Sequence, residues 1–331
     1  MGRTLILAGD VGGTKTYLAY FDPQADNYIP VEEKRYDTTA FPSLGDILKT
    51  FVEETGIRPQ RVVLGVPGPV RQLPVRAVNL PWLIDPAHLR LALDMDQVHL
   101  LNDLQATSYG TLTLGDEDVV VLNQGKPDPQ GGIAVIAAGT GLGEGGLCWT
   151  ENGYTSVASE GGHVDFAPSN EIQANLWSYL HERHGHVSWE RVISGPGLAH
   201  IYDFLRDCGY QEEPAWLREE LAQQDRSSLI AQVAQAGRST LAVQALELFV
   251  ELYGAETGNL ALNLLATGGV FVGGGIAPKL LQQLQSGSFM AAFLNKGRMV
   301  EPLRDFPVKV ILNDRTALLG AAYWGMHAVP H

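Results

Sequence analysis

Two stretches of the chain share one pattern, an apolar run, a turn built on Gly and Thr, and a second apolar run: Leu5 to Phe21, and again Ile133 to Trp149. A hairpin repeated in this way predicts two similar halves, each with chemistry at its bend, which would face each other across a cleft. Around the hairpins, strand-like and helix-like segments alternate, as in an α/β protein. Arg61 to Val66 and Val98 to Leu101 read as strands, and Asp85-Pro86 followed by Leu89, Leu91 and Leu93 has helix-start and helix-face character. The opening strand is placed from Thr4 to Ala8, its partner from Thr16 to Phe21. The second half reads as more helical: Glu171 to His184, Pro196 to Arg206, Pro214 to Gln224, and Leu241 to about Ala266, the last closed by Gly268-Gly269. Strands at Val270 to Val272 and Val308 to Leu312 and a helix from Arg315 to Met326 complete the pattern. The acidic and Pro-bearing stretch between Asp116 and Pro129 marks a composition shift. It predicts a small α/β domain over 1–113, to which 315–331 returns, and a large α+β domain over 114–314.

Composition narrows the function. With Lys plus Arg at 23 and Asp plus Glu at 37, the net charge of -14 opposes binding to nucleic acid and to anionic membranes. Only Cys148 and Cys208 are present, so neither a disulfide framework nor a cysteine zinc site is expected, and a reducing cytoplasm fits best. The apolar run Leu5 to Ala8 is too short for a signal peptide, and no run of membrane-spanning length follows.

The chemistry-bearing motifs lie at the strand ends. In Gly9-Asp10-Val11-Gly12-Gly13-Thr14, glycines let backbone N–H groups approach an anion and Thr14 adds a hydroxyl donor, a phosphate cradle; a tight turn chosen for geometry has the same composition. Asp10 repels phosphate, so the cradle requires a divalent cation such as Mg²⁺ between them. Gly141 to Gly146 matches G-x-G-x-x-G, but Leu147 to Gly153 reads as strand and turn where a dinucleotide site needs a helix. Gly139-Thr140-Gly141 is read as a second phosphate loop built like the first, a mere turn being the alternative. Asn102-Asp103 ends a strand. Asp103 is placed to accept a hydroxyl proton and Asn102 to hold a neighbouring hydroxyl, although Asp before Leu104-Gln105-Ala106 is also a common helix cap. Ser159-Glu160-Gly161-Gly162-His163 and Glu190 supply carboxylates and an imidazole suited to vicinal hydroxyls; taken alone, Glu190 reads as a solvated partner of Arg191 or Arg183. His181, His184 and His186 form an H-x-x-H-x-H run at a helix end, where histidines satisfy terminal carbonyls rather than bind metal. Gly273-Gly274-Gly275 after a buried strand permits close approach of a flat ligand such as adenine, or simply turns the chain.

The order of these elements resembles the bacterial glucokinases of the actin-like ATPase superfamily, from residue 5 to about residue 322. The resemblance implies an α/β, two-domain actin-like ATPase (ribonuclease H-like) fold with an interdomain cleft. It also implies ATP-dependent phosphorylation of D-glucose at the 6-hydroxyl, the first step of glycolysis, with Mg²⁺ as cofactor, and a homodimer. By the same resemblance Gly9, Asp10, Val11, Gly12, Gly13 and Thr14 form the first phosphate loop, with Asp10 holding Mg²⁺ through water. Gly139, Thr140 and Gly141 begin the second loop, which runs to Gly143, and Gly273, Gly274 and Gly275 form the adenosine loop. Asn102, Asp103, Glu160, His163 and Glu190 form the sugar-binding set, with Asp103 as catalytic base. Asn79-Leu80-Pro81-Trp82 resembles a loop that lies beside the sugar in relatives. The repressor and sugar-kinase branch of the superfamily carries a cysteine-rich zinc motif after Glu-Gly-Gly-His; here Val164-Asp165-Phe166-Ala167-Pro168 follows, so no structural zinc is expected. A sugar-responsive regulator would carry a DNA-binding segment ahead of the first strand, where this sequence has four residues. A kinase of another hexose or of an acylated amino sugar would share the motifs.

Overall fold

The computed structural model describes residues 5–25, 27–77, 80 and 82–327. Thr4, and Asn79 and Pro81 of the loop placed beside the sugar, lie outside the described residues. Two compact units divide the chain: Met1–Val119 with Asn313–His331, and Val120–Leu312.

In the first unit, β1 (Ile6–Val11) and β2 (Lys15–Phe21) pair antiparallel with Asp10 opposite Tyr17 and Val11 opposite Thr16. The pairing runs past the strand end expected at Ala8. Gly9, Asp10 and Val11 are strand residues, and the bend is confined to Gly12, Gly13 and Thr14. β3 (Glu32–Asp37) joins the outer edge of β2. Its sequence EEKRYD carries no apolar alternation, and charged side chains on an edge strand discourage pairing with another chain. α1 (Leu44–Thr55) is capped by Ser43, which accepts from Asp46 N–H, and closed by Gly56 at φ 67°. It buries Leu44, Ile47, Leu48 and Phe51, the spacing of one helix face, each contributing about 1.5–3 kcal/mol of burial. β4 (Arg61–Val66), the short pair β5 (Val75–Arg76) and β6 (Leu83–Ile84), α2 (Pro86–Leu93), β7 (Val98–Asn102) and α3 (Asp103–Gly110) follow. The sheet order is β3-β2-β1-β4-β7, with β1, β4 and β7 parallel.

The second sheet repeats this plan. β8 (Val119–Asn123) precedes the hairpin of β9 (Ile133–Ala138) and β10 (Leu142–Thr150), to which β11 (Gly153–Val157) adds antiparallel. Helices α4 (Glu171–His184), α5 (Gly195–Asp207), α6 (Ala215–Leu221), α7 (Arg226–Gln235) and α8 (Thr240–Asn263) come next. Then follow β12 (Gly269–Gly273), the short α9 (Leu281–Leu284), α10 (Ser288–Leu294) and α11 (Val300–Arg304), and β13 (Val308–Ile311). The order is β11-β10-β9-β12-β13-β8, so five strands match the first sheet in order and direction. The duplicated sheet is the actin-like ATPase fold expected from the resemblance.

α8 is buried nearly all round, as the central helix of its unit. It stops at Asn263 rather than at Gly268-Gly269. Leu265 takes the left-handed conformation at φ 45°, Ala266 N–H donates to Ala261 O at 2.9 Å and Leu265 N–H to Leu262 O at 3.2 Å. That is a Schellman termination with a leucine in the place usually held by glycine. α12 (Thr316–His327) belongs to the first unit and packs on α3, β1 and β4. The helices α3 and α12 touch through glycines: a Cβ on Gly320 would overlap Ala106 O, and one on Gly110 would overlap Thr316 O.

Candidate active site

In the first unit, three carboxylates converge electrostatically at the end of the first hairpin strand. Asp10 sits in β1 one residue before Val11, and burial of its carboxyl group, with the charges of Asp103 and Asp314 added, pushes its pKa up to about 7. Asp314 precedes α12 and carries no motif, so nothing in the sequence marked it. Among the described residues no three His, Cys, Asp or Glu side chains are grouped to hold a metal ion by themselves. Asp10, with Asp103 and Asp314 in electrostatic reach, offers oxygen donors only, the donor chemistry that suits Mg²⁺.

The first loop divides by role. Gly9 lacks a side chain for packing reasons, since a Cβ there would lie 2.6 Å from Leu64 Cδ2 and 2.8 Å from Leu18 Cδ2. Val11 is buried in the core, whereas Thr14 is exposed at the bend and Gly12 N–H donates to Lys15 O at 2.9 Å. Asn102, not Asp103, caps α3. Its side chain accepts from Leu104 N–H at 3.0 Å, its backbone N–H donates to Gln105 Oε1 at 3.1 Å, and its Nδ2 donates to Gly68 O at 3.1 Å. Gly68, at φ 140°, is a residue the sequence reading missed; the Pro67-Gly68-Pro69 run was its signal. Asp103 is thus the first residue of the helix, exposed, with Oδ1 held by Leu104 N–H at 2.9 Å.

In the second unit, Gly139, Thr140 and Gly275 line one cavity of about 440 Å³ together with Gly195, Asp225 and Lys279. The Gly139-Thr140 turn and the Gly-rich strand end therefore meet at one cavity. Gly274 is needed at φ 80°, where a Cβ would overlap Ala138 O, and Gly273 is still in β12, its carbonyl accepting from the Tyr253 hydroxyl at 3.3 Å. Gly139 and Gly275 face open space. The cavity wall also includes Ser227, whose Oγ donates to Gly195 O at 2.6 Å, beside Asp225, the cap of α7. This helix has no counterpart in the sequence analysis, where Pro214 to Gln224 reads as a helix and the next begins at Leu241.

The remaining acidic and imidazole groups of the second unit share one loop cluster. Glu160 and His163 bracket the Gly161–His163 turn, both exposed, with His163 N–H donating to Glu160 O at 3.0 Å. Glu190 Oε1 lies 3.9 Å from His163 Nδ1, and its Oε2 accepts from Leu142 N–H at 3.0 Å. Gly141 makes room for it: a Cβ there would be 2.5 Å from Glu190 Oε2. Of the two arginines offered as partners for Glu190 taken alone, Arg183 turns instead to Tyr179 O and Asp207. The three histidines of the H-x-x-H-x-H run go separate ways: His181 stacks on Trp177, His184 neighbours His200, and His186 Nε2 lies 2.9 Å from Asp165 Oδ1.

A family model of glucokinases matches residues 7–328. The chain is 39% identical to a glucokinase of Nostoc punctiforme and 41% identical to one of Synechocystis, over 96% of its length in each case and 98% and 96% of theirs. Its fold superimposes on the crystal structure of a glucokinase from an Antarctic psychrotroph with a TM-score of 0.88 and 30% identity, covering 98% of this chain and 99% of that one.

Proposed function

The chain belongs to the glucokinase family, and from that premise we propose that Asp103 is the general base of its phosphoryl transfer. The protein is a hexose kinase that moves the terminal phosphoryl group of ATP to the 6-hydroxyl of D-glucose. The observation that carries the assignment of the base is the placement of Asp103 as first residue of α3, within the electrostatic reach of Asp10 on the phosphate hairpin. A carboxylate there takes the 6-hydroxyl proton as that oxygen attacks the γ-phosphorus and ADP departs, a contribution of about 10² to 10⁴ in rate. Leu104 N–H fixes the carboxylate's orientation. Asp10 is the residue that would hold Mg²⁺, which would supply charge neutralisation to the phosphates there. Gly12, Gly13 and Thr14 offer donors to the phosphates, as does the backbone from Gly139 to Gly141. The cavity bordered by Gly275 receives the adenosine, with Asp225 and Lys279 on its wall.

Asn102, Glu160, His163 and Glu190 fix which hydroxyl is presented, each accepting from one hydroxyl while a neighbour donates. Glu160→Gln raises the KM for glucose with a smaller change in kcat, read from initial rates; an unchanged KM removes Glu160 from the sugar set. Gly141→Ala drives a methyl group against Glu190 Oε2, so the KM for glucose rises by about tenfold or more while the melting temperature stays close to wild type. Wild-type kinetics in that variant would show that Glu190 does not need its seat on Leu142 N–H.

The two compact units act as the small and large domains, in a cytoplasmic enzyme without structural zinc that forms homodimers. No helix among the described residues is long and apolar enough to cross a membrane. The test of the whole reading is ADP release from Mg-ATP with glucose, mannose, fructose and N-acetylglucosamine, each beside Asp103→Asn. Glucose-dependent turnover that vanishes in the variant supports the reaction and its base. Turnover on another sugar alone replaces the substrate, and glucose binding without turnover overturns the kinase.

A further inference from the structure

Beneath the turn that carries Glu160 and His163 lie two carboxyl groups that phosphoryl transfer does not use. Glu144 on β10 and Glu256 on α8 are 3% and 2% exposed. Their carboxyl groups lie close enough to act on each other, the charge of Glu144 bearing directly on Glu256. Glu256 Oε2 accepts from Asn259 Nδ2 at 2.7 Å, whereas Glu144 Oε1 has no hydrogen-bond partner among the described residues. Glu144 Oε2 faces Gly161 so closely that a Cβ on that glycine would overlap it, and Gly162 lies in the same way against Leu142 O. The Gly-Gly pair thus lets the turn sit flat on β10, with the Glu144 carboxyl as its seat.

Two carboxylates this deeply buried and in contact do not both ionise near neutral pH, and the pair carries one proton. We propose that Glu144 is a positioning residue for the sugar-binding turn, and that the proton it shares with Glu256 keeps it in place, so that alkaline loss of this proton weakens glucose binding while leaving phosphoryl transfer intact. The proposal rests on the reading that Glu160 and His163 hold the sugar. When the second charge appears, Glu256 remains tied to Asn259; Glu144, with no comparable tie at Oε1, is the group that swings, and the turn seated on it shifts.

Burial raises the pKa of both groups above the ordinary carboxylate value, and the Glu144 charge raises that of Glu256 further. A group whose folded-state pKa is raised contributes stability that is fully present below the unfolded value and lost as pH rises through the folded one, which places the effect on the alkaline side. The other groups facing the pair do not produce it. Tyr253 on α8 is raised by burial and stays neutral. Lys296, after α10, donates to Ala255 O at 2.8 Å, and burial lowers its pKa. Loss of its proton removes a positive charge from beside Glu256 and so tightens the hold on the shared proton, the opposite sign. Glu160 and His163 are the turn's own ionisable groups.

The experiment measures kcat and the KM for glucose from about pH 6 to about pH 9.5 in wild type, Glu256→Gln, Glu144→Ala and Glu160→Gln, with thermal melts at each pH. In wild type, KM rises by roughly three- to tenfold on the alkaline limb with little change in kcat. Glu256→Gln keeps a donor toward Glu144 but has no proton to lose, so its KM stays flat at the wild-type neutral value. Glu144→Ala removes the seat and raises KM at every pH; if it does not fold, the Glu256→Gln comparison decides alone. An alkaline rise of equal size in Glu256→Gln, or none in wild type, overturns the proposal. An unchanged KM in Glu160→Gln at all pH values refutes the sugar reading beneath it instead.

Discussion

Asp103→Asn lowers kcat by about two to four decades and leaves the KM for glucose within a small factor of wild type. The amide keeps the size of the side chain and, through its oxygen, the bond from Leu104 N–H that holds Oδ1 at 2.9 Å. What it loses is the capacity to take a proton. The substitution also removes one of the two charges that press on Asp10, whose pKa then falls from about 7, so Asp10 is more fully ionised in the variant at neutral pH and metal binding is not weakened. The defect is therefore confined to the chemical step, and steady-state rates beside glucose titrations followed by tryptophan fluorescence separate the two quantities. Retained turnover would take the catalytic role from Asp103.

Gly320→Ala destabilises the first unit by about 3 kcal/mol or more. Its new methyl group falls inside the van der Waals shell of Ala106 O on the facing helix, an obstacle that is backbone and cannot rotate away. Gly110→Ala meets Thr316 O in the same way from the other helix. The melting transition of that unit drops by roughly 6–12 °C, and kcat falls with it at temperatures where the variant remains folded, because α3 carries Asn102 and Asp103 at its other end. Gly275→Ala is the contrast: no atom of the described residues lies within 4 Å of its Cβ position, so stability holds while the cavity proposed for the adenosine narrows and the KM for ATP rises. Equal melting temperatures for Gly320→Ala and wild type, in scans of the two proteins side by side, would show that α12 can ride up from α3 without cost.

The duplicated architecture was legible because both hairpins place strong apolar runs around short Gly-Thr bends, and apolar periodicity is a local signal. The helix from Glu171 to His184 was read with its observed bounds, set by the Asn170 cap and Gly185. β3 was not legible, since EEKRYD has the composition of a solvated loop and becomes a strand only because β2 offers an unpaired edge. The end of α8 was misread because glycine is the usual occupant of the left-handed position, and Leu265 takes it here at a conformational cost that the two closing hydrogen bonds offset. Among the site residues, Glu190 was found but not its partners, since Leu142 N–H and His163 approach it only in three dimensions. Asp314 and the Glu144–Glu256 pair were invisible for the same reason: an isolated Asp or Glu gains its meaning from neighbours far away in sequence.

The position of α12 in the chain bears on how this protein is made. Every strand of the first sheet has been translated by Asn102, yet the helix that packs on β1 and β4 is encoded after the whole of Val120–Leu312. The second unit is contiguous and can complete its own core as soon as Leu312 is clear. At a synthesis rate of about 5–20 residues per second, the nascent first unit waits roughly 10–40 s with an apolar sheet face bare. The half that is translated earlier is thus the half whose core closes only with the last helix of the chain's described residues.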